Sequence, residues 1–367
     1  MMRSVVNSHN EWDPLEEVIV GDGFPENIPT LDYSFRLFFH DNLWEYKDYQ
    51  FGDDFVDKRH VQEHKEDIEQ FVHLLESFDV KVRRPKTPKK IHKTRSPVWE
   101  STIHPALNVR DMAMVVGDRI IETPPTLRYR YFENQLLSHL FLEYFNTGAS
   151  WIQAPKPVMT DNSFDTSYVD DTTGAQMYYE KMRSRDHYMD CGHEIMFDAA
   201  NCVRMGEHIL MNVSNNNQKL GADWLRRTLG DTYTVWTAPL TDSHIDSTFL
   251  PLKPGVGLIM REDVREKLPV ELQKWELIYI PLKNRSATEH NQQGLRLASP
   301  RIELNVLSVS PETIICHPQY EHELNNKLNK HNIQAIGSPF RHCEIFSGAH
   351  HCTTLDIRRR GTLHNYF

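Results

Sequence analysis

Apolar positions along the chain recur in one order: two short apolar runs, an amphipathic stretch of helical period, and a further short apolar run. Residues 112–116 and 119–122 flank Gly117-Asp118 and predict a hairpin; residues 127–145 then predict a helix and 150–153 a strand. The order returns with strands at 194–197 and 209–213, a helix at 220–229 and a strand at 233–236. It returns again at 248–252, 255–260, 264–275 and 277–280, and once more at 304–308, 313–317, 320–331 and 333–336. Three of these units are spaced by roughly 55 residues, a period of the kind that marks repeat architectures. A fifth unit closes if a strand after Cys352 pairs with residues 17–20, followed by a helix at 61–78 and a strand at 80–83. That helix would bury Ile68, Phe71, Val72, Leu74 and Leu75 on one broad face. The units share a pattern and little sequence identity. Closed into a ring, they would leave few open sheet edges and gather their loops at a central channel.

Three stretches fall outside this order. Residues 22–55 carry aromatics and acids without a clear period and predict a long loop or lid. Residues 85–93 predict a basic, solvated connection. Residues 158–193, with Asp165, Asp170, Asp171, Arg183, Arg185 and Asp186, predict a polar surface insertion.

Composition narrows the function classes. The 367 residues are 39 % apolar and 25 % charged, ordinary for a globular chain able to bury a substantial core. Lys plus Arg number 41 against 51 acids, and the net charge of −10 disfavours nonspecific nucleic-acid binding. No apolar run approaches the ~20 residues that span a bilayer, and the N-terminal stretch lacks the apolar core of a signal peptide. Cys191, Cys202, Cys316, Cys343 and Cys352 are widely spaced and odd in number, which points to a reducing, cytoplasmic setting. CxxC and HExxH patterns do not occur, so no metal site is expected.

The candidate chemistry gathers at three places. In Ala349-His350-His351-Cys352-Thr353-Thr354-Leu355-Asp356-Ile357-Arg358-Arg359-Arg360, a cysteine stands beside two histidines and ahead of three arginines. Positive neighbours stabilise a thiolate, so this pattern predicts an easily ionised nucleophile at the start of a strand; a packed cysteine near a terminus is the plain alternative. Asp198 follows the apolar residues ending at Phe197, and the alternation around His244 and Asp246 turns both to one side. Asp111 precedes the hairpin at 112–122. Carboxylates can clasp a planar cation, a cysteine can attack its carbon, and a histidine can move protons to and from its nitrogens. Taken singly, each has a structural alternative: a helix cap for the aspartates, packing for the histidine.

Longer blocks carry a resemblance. Phe197–Gly206 (FDAANCVRMG), Ser243–Gly255 (SHIDSTFLPLKPG) and His350–Phe367 (HHCTTLDIRRRGTLHNYF) resemble the signature blocks of the amidinotransferases. Asn7–Gly21, Val109–Pro124 and Ser150–Pro157 are similar to the same family, in the same order across nearly the whole chain. The resemblance implies a single 1–367 domain with the pentein fold, a five-fold pseudosymmetric α/β propeller of ββαβ units. It implies Cys352 as nucleophile, His244 as general acid and base, Asp198 as its partner, and Asp111 and Asp246 as the acids holding a donor guanidinium. It further implies ping-pong transfer from L-arginine to an amine, without metal or organic cofactor, in a homodimer.

The chain also departs from the family pattern. Arg261, in Met260-Arg261-Glu262-Asp263, is displaced from the family's carboxylate-gripping arginine, and Arg301 replaces a usual tryptophan. Either could hold a substrate carboxylate, and Ser299 matches a serine near the donor. A lysine- or glycine-like acceptor is therefore expected ahead of an aminocyclitol phosphate, with residues 22–55 helping to choose it. A guanidine hydrolase of the arginine deiminase type and a catalytically silent binding module are the rival readings.

Overall fold

The computed structural model describes residues 4–23, 31–44, 56–170, 174–184, 186–281, 297–299 and 301–367. Five three-stranded sheets carry the mixed α/β architecture. In each, two strands pair antiparallel and the third joins parallel after a helical crossover. They are Ala113–Val116, Arg119–Glu122 and Ser150–Gln153; Cys202–Met205, His208–Asn212 and Thr234–Ala238; Phe249–Lys253, Val256–Ile259 and Glu276–Tyr279; and Leu307–Ser310, Thr313–Cys316 and Gln334–Gly337. The fifth sheet joins the chain's two ends. Leu15–Val20 lies between Thr354–Arg359, antiparallel with Val18 opposite Asp356, and Lys81–Arg83, parallel with Val18 opposite Val82. Such a sheet cannot form until the last strand exists.

Local chemistry explains most boundaries. Gly117 turns the hairpin between the first two strands of its sheet at φ +63°, a conformation that disfavours residues bearing Cβ. The helix Lys58–Glu76 starts where the Asp57 side chain accepts from Arg59 N at 2.7 Å, and it buries Val61, Ile68, Phe71 and Leu75. Truncating a fully buried aromatic such as Phe71 to alanine costs about 3–5 kcal/mol.

Several expectations are corrected. Residues 194–197 form no strand: Phe197 N bonds Pro124 O, and the first strand of that sheet is Cys202–Met205. Residues 127–145 are not one helix. Arg128–Arg130 and Glu133–Leu136 are single 3₁₀ turns before the helix Ser138–Asn146, because Arg128 and Arg130 turn inward to tertiary partners. Pro269 separates the predicted 264–275 helix into Val264–Lys267 and Val270–Gln273, since it has no N–H to donate. Within 22–55, residues 24–30 and 45–55 lie outside the described residues. The remainder is helical over Tyr33–Phe38 and His40–Leu43, with Phe35, Leu37, Phe39 and Leu43 buried. The 158–193 stretch is no surface insertion. Met159, Phe164, Val169 and Tyr179 are buried against Tyr33 and Leu37, although Asp171 and Arg185 lie outside the described residues. Among the described residues, no helix is long and apolar enough to cross a membrane.

One regularity positions the site. The segment entering the first strand of each sheet is a tight turn: Val109–Asp111, Ala199–Asn201, Ile245–Ser247 and Ile302–Leu304 are 3₁₀ turns, and a turn carrying Cys352 precedes Thr354–Arg359. These turns pack against one another, so residues far apart in sequence share one location.

Candidate active site

Cys352 is buried at the end of its turn, with Sγ 3.4 Å from Asp246 Oδ2. Its backbone N–H and that of His351 both donate to Asn305 Oδ1, at 2.9 and 3.0 Å. From the other side, Arg110 donates through its backbone N to Cys352 O and through Nε to His351 O. The nucleophile's backbone is therefore gripped by two neighbouring turns. His244 caps the start of its own turn and donates from Nε2 to Asp198 Oδ2 at 2.9 Å, while Nδ1 lies 3.6 Å from Asp111 Oδ1. Asp198 also accepts from the Thr126 hydroxyl at 2.9 Å. Asn201 and Asn212 hold the histidine's loop through the Ser243 carbonyl.

Cys352, His244, Asp246, Ser299, Arg301 and Arg261 line one cavity of about 230 Å³. Asp111 lines a smaller adjoining space of about 50 Å³, which shares His244, Phe38, Phe39 and Ser347 with the first. Phe38, whose ring centre is 5.6 Å from that of His244, brings the Tyr33–Phe38 helix over the site. Arg261 is drawn aside by Asp263, and Arg301 donates from Nε to Met260 O at 3.1 Å. No carboxylate pairs with Arg301 among the described residues.

Electrostatics correct one expectation. The Cys352 thiol is not made acidic by its sequence neighbours: burial, with Asp246 and Asp111 adding negative charge, pushes it well above the ordinary cysteine range. His350 is turned away, bonding Ser338 O at 3.0 Å, and burial lowers it to about 3. Arg358 and Arg360 pair with Glu16, and Arg359 pairs with Asp356. Burial also opposes charge on His244, yet Asp111, Asp198 and Asp246 prevail and raise it to about 9. The thiol is thus neutral and the imidazole cationic at neutral pH. A cation placed beside Sγ would offset the charges that suppress the thiolate.

The acids are arranged to receive such a cation. Among the described residues, Asp246 Oδ1 and Asp111 Oδ1 are both buried without a hydrogen-bond partner, although Asp111 Oδ1 faces His244 Nδ1 at 3.6 Å. An ionised oxygen left bare in a protein interior costs several kcal/mol, which a bound cationic donor removes. Sequence reasoning had named the cysteine, the histidine and the three aspartates but missed Asn305, Arg110, Arg130, Thr126 and Glu11. Only adjacency hinted at any of them: Arg110 precedes Asp111, and Asn305 ends the segment that carries Ser299 and Arg301.

No family model matches the chain, but individual proteins do. The L-arginine:L-lysine amidinotransferase of Pseudomonas savastanoi pv. phaseolicola is 33 % identical over 376 residues, spanning 99 % of this chain and 97 % of that protein. The mitochondrial glycine amidinotransferase of Danio rerio is 32 % identical over 368 residues, covering 99 % of this chain and 85 % of that one. Among solved structures, the inosamine-phosphate amidinotransferase of Streptomyces griseus superposes with a TM-score of 0.79 at 32 % identity, over 99 % of both chains.

Proposed function

The chain belongs to the amidinotransferase family, and from that premise we propose that it moves the amidino group of L-arginine to an amine acceptor through a covalent adduct on Cys352. The observation that carries this reading is a buried thiol 3.4 Å from Asp246, with one oxygen of Asp246 and one of Asp111 buried and not hydrogen-bonded among the described residues. Asp111 and Asp246 receive the guanidinium, and its charge allows the Cys352 proton to leave to solvent. The thiolate attacks the guanidino carbon. Protonated His244, oriented by Asp198, gives its proton to the departing nitrogen, so ornithine leaves and an amidino-thioether cation remains. Neutral His244 then takes a proton from the acceptor amine, which attacks the same carbon and expels the thiolate.

The five sheets are read as blades of a five-fold pseudosymmetric propeller in a single domain, with the turns before their first strands facing its central channel. An amino-acid acceptor of the lysine or glycine class fits better than an aminocyclitol phosphate. Arg301 lines the cavity, has no paired carboxylate among the described residues, and supplies a counter-charge for an acceptor's own carboxylate. Incubation with arginine and a panel of amines tests the reading by mass spectrometry. Ornithine should form only when an amine is present, and Cys352 should carry an added mass of about 42 Da after arginine alone. Cys352→Ala should abolish transfer and retain arginine binding. Abundant citrulline without an amine, or full activity of that variant, overturns the proposal.

A further inference from the structure

In Asp246 and in Asp111 one oxygen is hydrogen-bonded, while the other has no hydrogen bond among the described residues, that of Asp111 facing His244 Nδ1 at 3.6 Å. Asp246 Oδ2 accepts from His351 Nδ1 at 2.8 Å, and His351 Nε2 makes no hydrogen bond among the described residues but lies 3.5 Å from Glu11 Oε2. Asp111 Oδ2 accepts from Arg130 Nη1 at 2.5 Å, and Arg130 in turn grips Glu133 through Nε at 2.6 Å and Nη2 at 2.7 Å. All six side chains are buried. A carboxylate can rotate about its Cβ–Cγ bond, so an oxygen faces a ligand reliably only if the other oxygen is tethered. A tether that is itself mobile would fix nothing; here Glu133 hydrogen-bonds Arg130 twice, and Glu11 stands within ion-pair distance of His351.

We propose that His351 and Arg130 are positioning residues, each anchored by a buried glutamate, that aim the free oxygens of Asp246 and Asp111 at the donor guanidinium. The inference rests on the arginine-donor reading above and adds two residues that touch neither substrate nor reacting atoms. His351 also accounts for Cys352 Sγ meeting Asp246 at Oδ2, since its tether presents that oxygen to the thiol. A nonpolar filler could keep the volume of His351 without the N–H, whereas a shorter amide could keep an N–H near the Nδ1 position without the volume.

The test uses the Cys352→Ala protein, so that binding is measured without turnover. The probes are L-arginine and its neutral isostere L-citrulline, measured by calorimetry. His351→Leu should weaken arginine by about tenfold or more while citrulline changes little, because only the charge-assisted clasp is lost. His351→Asn should restore arginine binding to within about threefold of the parent. Arg130→Met should show the same selective loss on the other side and serves if a His351 variant does not fold. Equal loss of both ligands, unchanged arginine binding, or a leucine variant that binds as well as the asparagine one would each overturn the proposal. Failure of the Cys352→Ala parent to bind arginine would instead remove the donor reading on which it stands.

Discussion

Asp246 and Asp111 are tethered alike, but their surroundings leave them with opposite tendencies. Burial works against the charge on both. At Asp246, His351, His244 and Asn305 overcome it and hold the carboxyl at about 2. Its backing acid, Glu11, is also held well below the ordinary range despite burial, by Arg204, His351 and Arg110. At Asp111, burial prevails over His244 and Arg130, with Asp198 adding repulsion, and the carboxyl is raised. Glu133 is raised to about 7 for the same first reason. The difference is one of counter-charge. The Glu11 side shares two arginines with Asp356, whereas one arginine, Arg130, is divided between Glu133 and Asp111, and His244 is divided between Asp111 and Asp198. A site can thus hold one acid ready and leave another short of a cation that the substrate brings.

The largest test of this contrast is charge removal. Asp246→Asn should lower kcat/KM for arginine by about a thousandfold, because it strips an ionised group and strands His351. Asp111→Asn should cost less, about a hundredfold, because that acid is already easier to protonate. Equal losses in steady-state kinetics would break the comparison.

Stability separates the backing acids. Glu11→Gln should destabilise by about 3 kcal/mol in urea unfolding at neutral pH, since two buried arginines lose their counter-charge. Glu133→Gln should cost about 1 kcal/mol or less. The pH dependences have opposite sign. Glu133 has a folded value of about 7 against an ordinary 4.5, so the folded protein binds the extra proton between these and loses stability as pH rises through that window. Glu133→Gln should remove that decline. Glu11, depressed on folding, contributes stability above its ordinary value that is lost as pH falls, and Glu11→Gln should weaken the acid sensitivity. Urea midpoints measured across pH would show both slopes.

Activity sharpens the contrast further. kcat/KM for arginine should rise with pH through neutrality, because forming the thiolate releases the Cys352 proton to solvent, and protonation of Asp111 should steepen the fall at acid pH. Asp111→Asn should remove that added steepness and leave the rise. The smallest effect belongs outside both tethers. Arg261→Ala, which breaks a half-exposed pair with Asp263, should change stability by no more than about 0.5 kcal/mol and KM for arginine by less than about threefold.

Because strand alternation and hairpin glycines are local signals, the hydrophobic order predicts four of the sheets and the closure of Leu15–Val20 on Thr354–Arg359, and it misplaces the first strand of the sheet that begins at Cys202. Cys352, His244, Asp198, Asp111 and Asp246 stand out in the sequence as candidates through short local patterns and the family resemblance, and the fold gathers them at the turns before the strands. Local signals failed where charged side chains turned inward. Arg128 and Arg130 look like the exposed face of a helix, and their partners Asp161 and Asp111 lie 33 and 19 residues away. The thiol's ionisation failed for the same reason: proximity along the chain put histidines and arginines beside it, whereas the folded neighbours are carboxylates.

What the chain determined alone was the kind of groups available and the strand entrances they occupy, since hydrophobic period and turn residues act over a few positions. Which oxygen of Asp246 is tied and which is bare, and whether Cys352 carries a proton, were decided only in three dimensions. Those properties depend on dielectric burial and on partners from other turns, and neither is written between adjacent residues.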